Sequence, residues 1–384
     1  MSTLYVTDEP CHIKKLVLIN GLFIDNPVFS LIYIALSPDN SAYPGCRLSK
    51  KIFDIPNERK VHDGIIPRLG GISFVPTILF SLSFVTGLRY LIGFEIAENR
   101  LHFIIPEFFF LICGLTLLYL SGIKDDLVGL RYRTKFFIQI LAASMFPLAG
   151  LWINNLYGLA GIHELSPYIG IPLTILMTVF IINAINLIDG IDGLASGLSI
   201  IALSVLGSLY LYYSQWVYAM FAFSALGTLL PFFYYNVFGK ADRCTKIFMG
   251  DTGSLTLGYM LAFLTISYAT VNPQIHPYFE GAIIVAFAPL IVPAFDVFRV
   301  MLIRARNHKP LFIADRNHIH HKCLDAGLTC KKAVVYILGL ACVFCILNMA
   351  LINTINNNLI LFLDILLWSV LIGWLNKSIK RFNY

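Results

Sequence analysis

The hydrophobic and polar positions of the chain alternate on the scale of whole helices. Apolar runs of about 20 residues, the length that a helix needs to cross a bilayer, recur from one end of the chain to the other. They predict about ten or eleven membrane-spanning helices and therefore an all-α, polytopic integral membrane fold. Their approximate bounds are 16–36, 69–93, 106–123, 134–153, 168–188, 193–213, 216–238, 253–271, 280–303, 333–353 and 358–376.

Composition supports this fold class. Of the 384 residues, 58% are hydrophobic and only 13% are charged, a balance that is too apolar for a soluble domain. The net charge of +6 reports on membrane orientation rather than on nucleic-acid binding, so we expect no nucleic-acid partner. We interpret residues 1–384 as a single integral membrane domain whose motifs fall within about 53–332.

Basic residues mark alternate connections between the predicted helices. Four connections are rich in Lys and Arg: 37–68, 124–133, 239–252 and 304–332. Three intervening connections contain neither: 154–167, 272–279 and 354–357. The positive-inside rule therefore predicts that the basic connections face the cytoplasm.

The polar motifs of the chain all lie beside helix ends on this basic side. In chain order they read "DIPNERKVHDGIIPRLGG", "GIKDDLVGLRYRTK", "NLIDGIDG", "FMGDTGSL" and "ADRNHIHH". The predicted topology brings acids, bases and histidines that are distant in sequence to one face of the membrane. We therefore predict an active site formed by cytoplasmic loops and helix ends.

Two of these motifs concentrate acids where burial in a membrane is costly. Asp125 and Asp126 are adjacent, so on a helix they point about 100° apart and do not simply chelate one ion. Two acids in one site can divide the work, one staying ionised near a cation and the other accepting a proton; a solvated helix cap is the structural alternative. In "NLIDGIDG", Asn186, Asp189 and Asp192 recur every third residue, which keeps them on roughly one face of a helical turn.

"FMGDTGSL" begins another apolar helix, where Asp251, Thr252 or Ser254 can each fill the N-cap position. The free N–H groups of such a helix end also suit a phosphate group. A carboxylate beside a phosphate needs a cation between them. Mg²⁺ fits because one or two carboxylates plus substrate phosphates usually hold it, and Lys135 can supply further positive charge.

The histidines of "ADRNHIHH" have two interpretations. A zinc site formed by His318, His320 and His321 is disfavoured, because the spacing is tight and no further ligand motif accompanies it. Beside Arg316, the three rings can instead contact a diphosphate or a sugar.

The helix before this motif also carries polar and helix-breaking residues. Asp296 and Arg299 are three residues apart and can pair on one helix face. Pro289 and Pro293 predict a kink or break in this helix, and a bent helix can open a groove toward lipid. Phe248 is either an interfacial aromatic residue or a platform for a nucleobase.

Taken together and in this order, the five motifs resemble those of the polyprenyl-phosphate N-acetylhexosamine-1-phosphate transferases, glycosyltransferase family 4. The resemblance implies a phosphotransferase that moves a sugar 1-phosphate from a UDP-sugar onto a polyprenyl phosphate and releases UMP. "ADRNHIHH" is similar to the bacterial branch that uses UDP-N-acetylglucosamine and undecaprenyl phosphate to start O-antigen, common antigen or teichoic acid linkage units. That branch acts at the bacterial inner membrane.

The resemblance also implies roles for the acids and the lysine. Asp125 and Asp126 match the paired aspartates of the family, one of which deprotonates or positions the lipid phosphate. Lys135 matches a lysine that contacts phosphate. Asp189 and Asp192 match the acids of the N-x-x-D-G-x-D-G motif.

The remaining roles concern the metal ion and the donor. Asp251 matches the magnesium aspartate, with Mn²⁺ as an alternative ion, and Asn186 is expected to share the ion and to contact substrate. Phe248 falls where an aromatic side chain stacks on uracil, and Lys60 matches a basic residue near the nucleotide. The loop linked to diphosphate and sugar recognition comprises Arg316, His318, His320 and His321.

Several alternatives remain open at this point. The donor can carry another N-acetylhexosamine, or UDP-MurNAc-pentapeptide in the peptidoglycan branch. Direct attack by the lipid phosphate is preferred over a route through an aspartyl-phosphate. From a different class of protein, a lipid or sugar flippase would place acids along a pathway through the bilayer. A homodimer is as compatible with the sequence as a monomer.

Overall fold

The computed structural model describes residues 53–54, 66–67, 70–93, 98–240, 245–273, 275, 278–308 and 317–382. Three sequence predictions lie outside these residues: the first span at 16–36, Lys60 and Arg316.

The described part of the chain is almost entirely helical. Its α-helices are α1 (Phe74–Leu91), α2 (Glu98–Val128), α3 (Tyr132–Ala143), α4 (Met145–Leu148), α5 (Pro167–Ile188), α6 (Leu194–Tyr212), α7 (Trp216–Phe238), α8 (Gly250–Ala269), α9 (Ala282–Phe287), α10 (Ile291–Arg306), α11 (Ile319–Asp325), α12 (Cys330–Leu351) and α13 (Asn357–Phe382). Two antiparallel pairs of short strands accompany them: β1 (Phe53–Asp54) with β2 (Ile66–Pro67), and β3 (Asn155–Leu159) with β4 (Ile162–Glu164).

Within the described ranges, 8 helical segments are long and apolar enough to cross a membrane. They are Gly70–Leu91, His102–Val128, Pro167–Ile188, Leu194–Tyr212, Trp216–Phe238, Ala282–Arg306, Cys330–Leu351 and Asn357–Ile379. The outer surface of the bundle exposes many large apolar side chains, among them Phe84, Leu176 and Trp374, as expected for helices that face lipid. The protein is therefore an all-α, polytopic membrane protein, as the sequence predicts.

Helix α8 is the centre of the bundle. Every residue from Thr252 to Ala269 is buried, and the helix packs most extensively against α5 and α2. The sequence correctly predicts a helix over 253–271, although it is not among the eight apolar segments. Because protein surrounds α8 along its length, this helix holds its first turn firmly against the neighbouring helix ends.

The prediction of a single helix over 134–153 is wrong. The structure divides this stretch into α3 and the short helix α4, and residues 149–153 lie outside both. Pro147 explains the break, because its ring would collide with the carbonyl group of Ala143, four residues earlier, in a continuous helix. Gly150, at φ +82°, then turns the chain toward the β3–β4 hairpin.

The predicted break near Pro289 and Pro293 is confirmed. Helix α9 ends at Phe287, a turn of 3₁₀-helix covers Ala288–Leu290, and α10 continues from Ile291. The broken pair places the start of α10 deep in the bundle and carries Asp296 into a fully buried position.

Candidate active site

Four helix ends meet at one end of the bundle and carry most of the predicted site. They are the C-terminal ends of α2 and α5 and the N-terminal ends of α3 and α8. Five predicted residues make direct contacts at this meeting point, which we call the convergence: Asp125, Asp126, Lys135, Asn186 and Asp251. The sequence prediction that distant motifs converge on one face of the bundle is thus confirmed for these residues.

Asp126 joins helix α2 to the start of α8. Its two carboxylate oxygens accept hydrogen bonds from the backbone N–H groups of Asp251 at 2.8 Å and Thr252 at 2.9 Å. The Thr252 hydroxyl donates a further bond at 2.6 Å. Helix α8 begins at Gly250, so its N-cap residue is Met249 rather than Asp251, Thr252 or Ser254, and Met249 makes no side-chain cap. Asp126, from another helix, supplies the capping oxygens instead.

Lys135 lies between two acids. Its ammonium group forms an ion pair with Asp125 and lies 3.1 Å from Oδ2 of Asp251. Burial alone would lower the pKa of Lys135, but the negative charge of Asp251 and the hydrogen bond with Asp125 outweigh burial and raise this pKa. Lys135 therefore stays charged and partly neutralises both carboxylates.

Asn186 holds the other oxygen of Asp251. Its amide nitrogen donates to Oδ1 of Asp251 at 2.6 Å and to the Ser254 hydroxyl at 2.8 Å. Burial would raise the pKa of Asp251, but hydrogen bonding with Asp125, the Lys135 charge and the Asn186 amide lower it to about 2. Asp251 is therefore an ionised carboxylate with both oxygens directed by neighbouring side chains.

The two other acids of "NLIDGIDG" differ in their surroundings. Asp192 pairs with Lys246, with 2.5 Å between carboxylate and ammonium. The Asp189 side chain is accessible to solvent, yet it lies in a recess deep within the protein. Desolvation by the surrounding protein, followed by the negative charges of Asp192, Asp251 and Asp126, raises the pKa of Asp189 to about 7. Asp189 is thus an acid close to its midpoint of titration near neutral pH.

The histidine motif, formed by His318, His320 and His321, packs against the loop that carries Asp189 and Asp192, which we call the acidic loop. The ring centroids of His318 and His320 are 5.9 Å apart with the ring planes 3° from parallel, and His321 lies 4.2 Å from His320. A Cβ atom added to Gly190 would lie 2.3 Å from Nε2 of His320, so the glycine allows this ring to approach the acidic loop. Burial, followed by the neighbouring histidines, lowers the pKa of His320 to about 3, which keeps this ring neutral.

Phe248 lies one turn before the acidic end of α8. Its side chain is half-buried, and its carbonyl group accepts a hydrogen bond from the N–H of Gly70 at 3.0 Å. This contact joins the segment that carries Phe248 to the start of α1. Its predicted stacking on uracil stays a prediction.

The chemistry of the site suits a hard divalent cation. The ligands available at the convergence are oxygens, from Asp125, Asp251 and the Asn186 amide, which Mg²⁺ and Mn²⁺ favour. Among the described residues, no group of three His, Cys, Asp or Glu is arranged to hold a metal by itself.

Two supporting residues, Lys246 and Asn236, are not predicted from the sequence. The sequence marks Lys246 only as part of the basic connection 239–252, and its pairing with Asp192 depends on how the chain folds. Asn236 accepts a bond from Gly193 N–H at 2.6 Å and donates to the Ile247 carbonyl at 2.8 Å, which ties two motif loops together. No local pattern marks an asparagine inside an apolar helix for this role.

The matching family model is "Glycosyl transferase family 4", over residues 108–269, which span α2 to α8 and hold Asp125, Asp189 and Asp251. The fold and this match define an integral membrane transferase.

Curated relatives extend the match beyond this region. The undecaprenyl-phosphate alpha-N-acetylglucosaminyl 1-phosphate transferase of Yersinia pestis is 31% identical over 313 residues, which cover 80% of this chain and 79% of the relative. The probable undecaprenyl-phosphate N-acetylglucosaminyl 1-phosphate transferase of Bacillus subtilis (strain 168) is 33% identical and covers 74% of both chains. An Escherichia coli (strain K12) relative with the same name as the Yersinia protein is 30% identical over 76% of this chain. The chain therefore belongs to glycosyl transferase family 4.

Proposed function

We propose that this protein transfers N-acetylglucosamine 1-phosphate from UDP-N-acetylglucosamine to undecaprenyl phosphate and releases UMP. One observation carries the proposal: Asp125, Lys135 and Asp251 are in direct contact at one end of a membrane helix bundle whose relatives carry this activity in their names. The reaction would be the first membrane step in synthesis of a cell-surface polysaccharide.

The reaction is a phosphoryl transfer. An oxygen of the lipid phosphate attacks the sugar-bearing β-phosphorus of the donor, and the bond from that phosphorus to the bridging oxygen breaks, with UMP as the leaving group. Such a transfer depends on in-line positioning and on neutralisation of charge more than on a covalent protein intermediate. We therefore prefer direct attack over a route through an aspartyl-phosphate.

The residues of the convergence supply these two requirements. Asp125 positions the lipid phosphate or accepts its proton, and Lys135 contributes positive charge to the phosphates. Asp126 fixes the first turn of α8, so its role is to hold Asp251 in place. Asp189 and Asp192 shape the recess for the donor, in which Phe248 and the histidine motif contact the uracil and the sugar diphosphate.

Asp251 and Asn186 would hold Mg²⁺, with Mn²⁺ as the alternative. When bound, the ion supplies charge neutralisation of the donor diphosphate and of the departing UMP. The Lys135 ammonium group already pairs with Asp251, so a metal cation must displace this ammonium group or bind Asp251 together with it.

The site faces the cytoplasm in this proposal, at the bacterial inner membrane. The basic connections of the sequence support that orientation by the positive-inside rule. The cytoplasm is also where nucleotide sugars are made, whereas the acceptor is held in the bilayer. A site at the end of the helix bundle gives both substrates access.

Two alternatives make different predictions. A different donor, such as another UDP-N-acetylhexosamine or UDP-MurNAc-pentapeptide, would leave the chemistry unchanged. A flippase would release no UMP at all.

A homodimer is a separate hypothesis, which a mass measurement of the protein in nanodiscs would test.

The test is an assay of the purified full chain with undecaprenyl phosphate and a panel of UDP-sugars, scored for UMP. We expect UMP release with UDP-N-acetylglucosamine and its loss on chelation of divalent cations by EDTA. Asp251→Ala should abolish the metal-dependent release while the protein still inserts into membranes. The absence of UMP with every donor, or normal turnover of Asp251→Ala, would contradict the proposal or its metal assignment, respectively.

A further inference from the structure

Asp296, on helix α10, is a fully buried acid that the proposed chemistry does not use. Oδ1 accepts hydrogen bonds from the guanidinium group of Arg299 at 2.7 Å and from the N–H of Ile319 at 2.9 Å. Oδ2 lies 2.9 Å from Nδ1 of His318. The sequence predicted only the pairing with Arg299, which is confirmed. A buried carboxylate needs such partners to offset its desolvation, and here one of them is the first histidine of the histidine motif.

These contacts determine how the His318 ring is held. With Arg299 and the Ile319 N–H both donating to it, Asp296 is ionised and can only accept hydrogen bonds. Nδ1 of His318 must therefore carry the proton that it shares with Asp296. In the neutral ring, the other nitrogen, Nε2, is then a hydrogen-bond acceptor on the side of the ring away from Asp296.

The same acid determines where the next two histidines lie. Ile319 is the first residue of α11, so its bond to Asp296 fixes the start of the helix that carries His320 and His321. The His320 ring is stacked parallel to His318 and approaches Gly190 in the acidic loop. A continuous series of contacts therefore runs from Asp296 through the histidines to the recess that contains Asp189.

We propose that Asp296 is a positioning residue that acts through His318: it holds the ring with its proton on Nδ1 and aligns the histidine motif over the acidic loop, where the motif meets the diphosphate of the donor. The inference rests on the proposed function and extends it to a residue that touches no substrate. It also explains why α10 carries an acid at a fully buried position beside an arginine.

The first measurement is made on the wild-type protein, with one variant used only to assign signals. Nitrogen-15 NMR of histidine-labelled full-length protein distinguishes the two ring tautomers, and the His318 signals are assigned by their loss in His318→Gln. We expect a hydrogen-bonded proton on Nδ1 of His318 in the wild-type protein. A His318 ring that carries its proton on Nε2 alone would overturn the proposal.

The second measurement uses Asp296→Asn, an isosteric change that lets the amide donate to Nδ1 and so favours the opposite tautomer of His318. We expect kcat/KM for UDP-N-acetylglucosamine to fall by at least about tenfold, in the range of other groups that orient a functional histidine. The losses in Asp296→Asn and His318→Gln should be markedly non-additive, because both remove the same interaction. Additive losses, or an unchanged tautomer in a folded Asp296→Asn protein, would overturn it.

A matched control separates positioning from simple loss of a buried acid. Asp364, on α13, is also buried and pairs with Asn348 at 3.0 Å, away from the convergence. Asp364→Asn should change the melting temperature without changing the His318 tautomer or the donor KM. The pH dependence of kcat/KM is compared across the set, because other titratable or charged groups surround the pair: Arg299, His320, His321, Lys322, Cys323 and Asp325.

The outcomes also distinguish this inference from the proposed function. If the wild-type protein releases no UMP with any donor, the proposed function fails, and the tautomer measurement still decides whether Asp296 orients His318. If the wild-type protein transfers the sugar phosphate and Asp296→Asn matches it in kcat and donor KM, only the positioning role fails.

Discussion

Asp126 and Thr252 connect helix α2 to the start of the central helix α8. One carboxylate oxygen of Asp126 accepts both the backbone N–H of Thr252, at 2.9 Å, and the hydroxyl of Thr252, at 2.6 Å. The first N–H groups of a helix have no partners within the helix, so a carboxylate from a neighbour is well suited to bind them. The adjacent Asp125 is thereby held at a fixed distance from Asp251.

Asp126→Asn should therefore lower stability and activity together. An asparagine amide cannot accept all three bonds, because its NH₂ group faces a backbone donor, and a buried unsatisfied donor costs about 1–3 kcal/mol. We expect the melting temperature in detergent to fall by several degrees and UMP release to fall with it. Thr252→Val, which removes only the hydroxyl bond, should do the same to a smaller extent.

The pair of variants also tests the direct catalytic role that the family resemblance assigns to Asp126. If Asp126→Asn keeps the melting temperature of the wild-type protein but loses turnover, the carboxylate acts on the substrate itself. A parallel loss of both quantities in Asp126→Asn and Thr252→Val supports the positioning role.

Lys135 competes with a divalent cation for the same carboxylates. In Lys135→Met, Asp125 and Asp251 lose the ammonium group that neutralises them. The ammonium group lies 3.1 Å from Oδ2 of Asp251. Removing a positive charge this close to the carboxylate should tighten the binding of Mn²⁺ in the absence of substrate by at least about tenfold. Turnover should fall sharply, because the phosphates lose a cationic partner. Electron paramagnetic resonance of free and bound Mn²⁺ measures the first effect and UMP release the second.

Lys246→Met is the matched control for this prediction. Lys246 pairs with Asp192 rather than with the acids at the start of α8. We expect its effect on Mn²⁺ affinity to be smaller than that of Lys135→Met. Weaker Mn²⁺ binding in Lys135→Met would show that the lysine supports the cation site instead of competing for it.

Asp189 should make the metal-free protein less stable as the pH rises. Because its pKa is raised from the usual 3.8 to about 7, folding favours the protonated form. The resulting contribution to stability is fully present below about pH 4 and is lost as the pH increases through about 7. Asp189→Asn cannot ionise, so its melting temperature should depend less on pH between these values.

Melting temperatures recorded from pH 4 to pH 8 in EDTA, for the wild-type protein and Asp189→Asn side by side, measure this difference. Other groups titrate over the same range in both proteins, so the difference between the two curves isolates Asp189. Parallel curves would contradict the raised pKa.

The sequence predicted the bundle and the convergence of its motifs because both depend on local signals. Apolar runs mark helices, and Asp125, Asn186 and Asp251 each lie at the end of one. The failure at 134–153 has a local cause as well, since hydrophobicity alone hides the break that Pro147 produces. In contrast, the partner of Asp126 could not be predicted, because an acid at the end of α2 caps a helix more than 120 residues away.

The same limit applies to the histidine motif. The three histidines and the i, i+3 pair of Asp296 and Arg299 are visible in the sequence. What joins them is the packing of α10 against the start of α11, which brings Asp296 to Nδ1 of His318 at 2.9 Å. Roles that depend on such long-range contacts become evident only when the helices are in place.

The close approach of α2 to the start of α8 leads to a last prediction, on Gly122. A Cβ atom at this position would lie 2.5 Å from Cα of Thr252, and the backbone of α8 has no room to give because α8 is buried on all sides. Gly122→Ala should therefore force the two helices apart, at a cost of about 1–3 kcal/mol, and move Asp126 away from the N–H groups that it caps.

Gly87→Ala, in helix α1, is the control, because no atom lies within 4 Å of a Cβ added there. It makes the same chemical change in another apolar helix and should leave both the melting temperature and UMP release near the wild-type values. Gly122→Ala should lower both, with activity falling more than the loss of folded protein explains, since the distance between Asp125 and Asp251 also changes. Equal behaviour of the two alanine variants would show that the contact between α2 and α8 is not what holds the acids together.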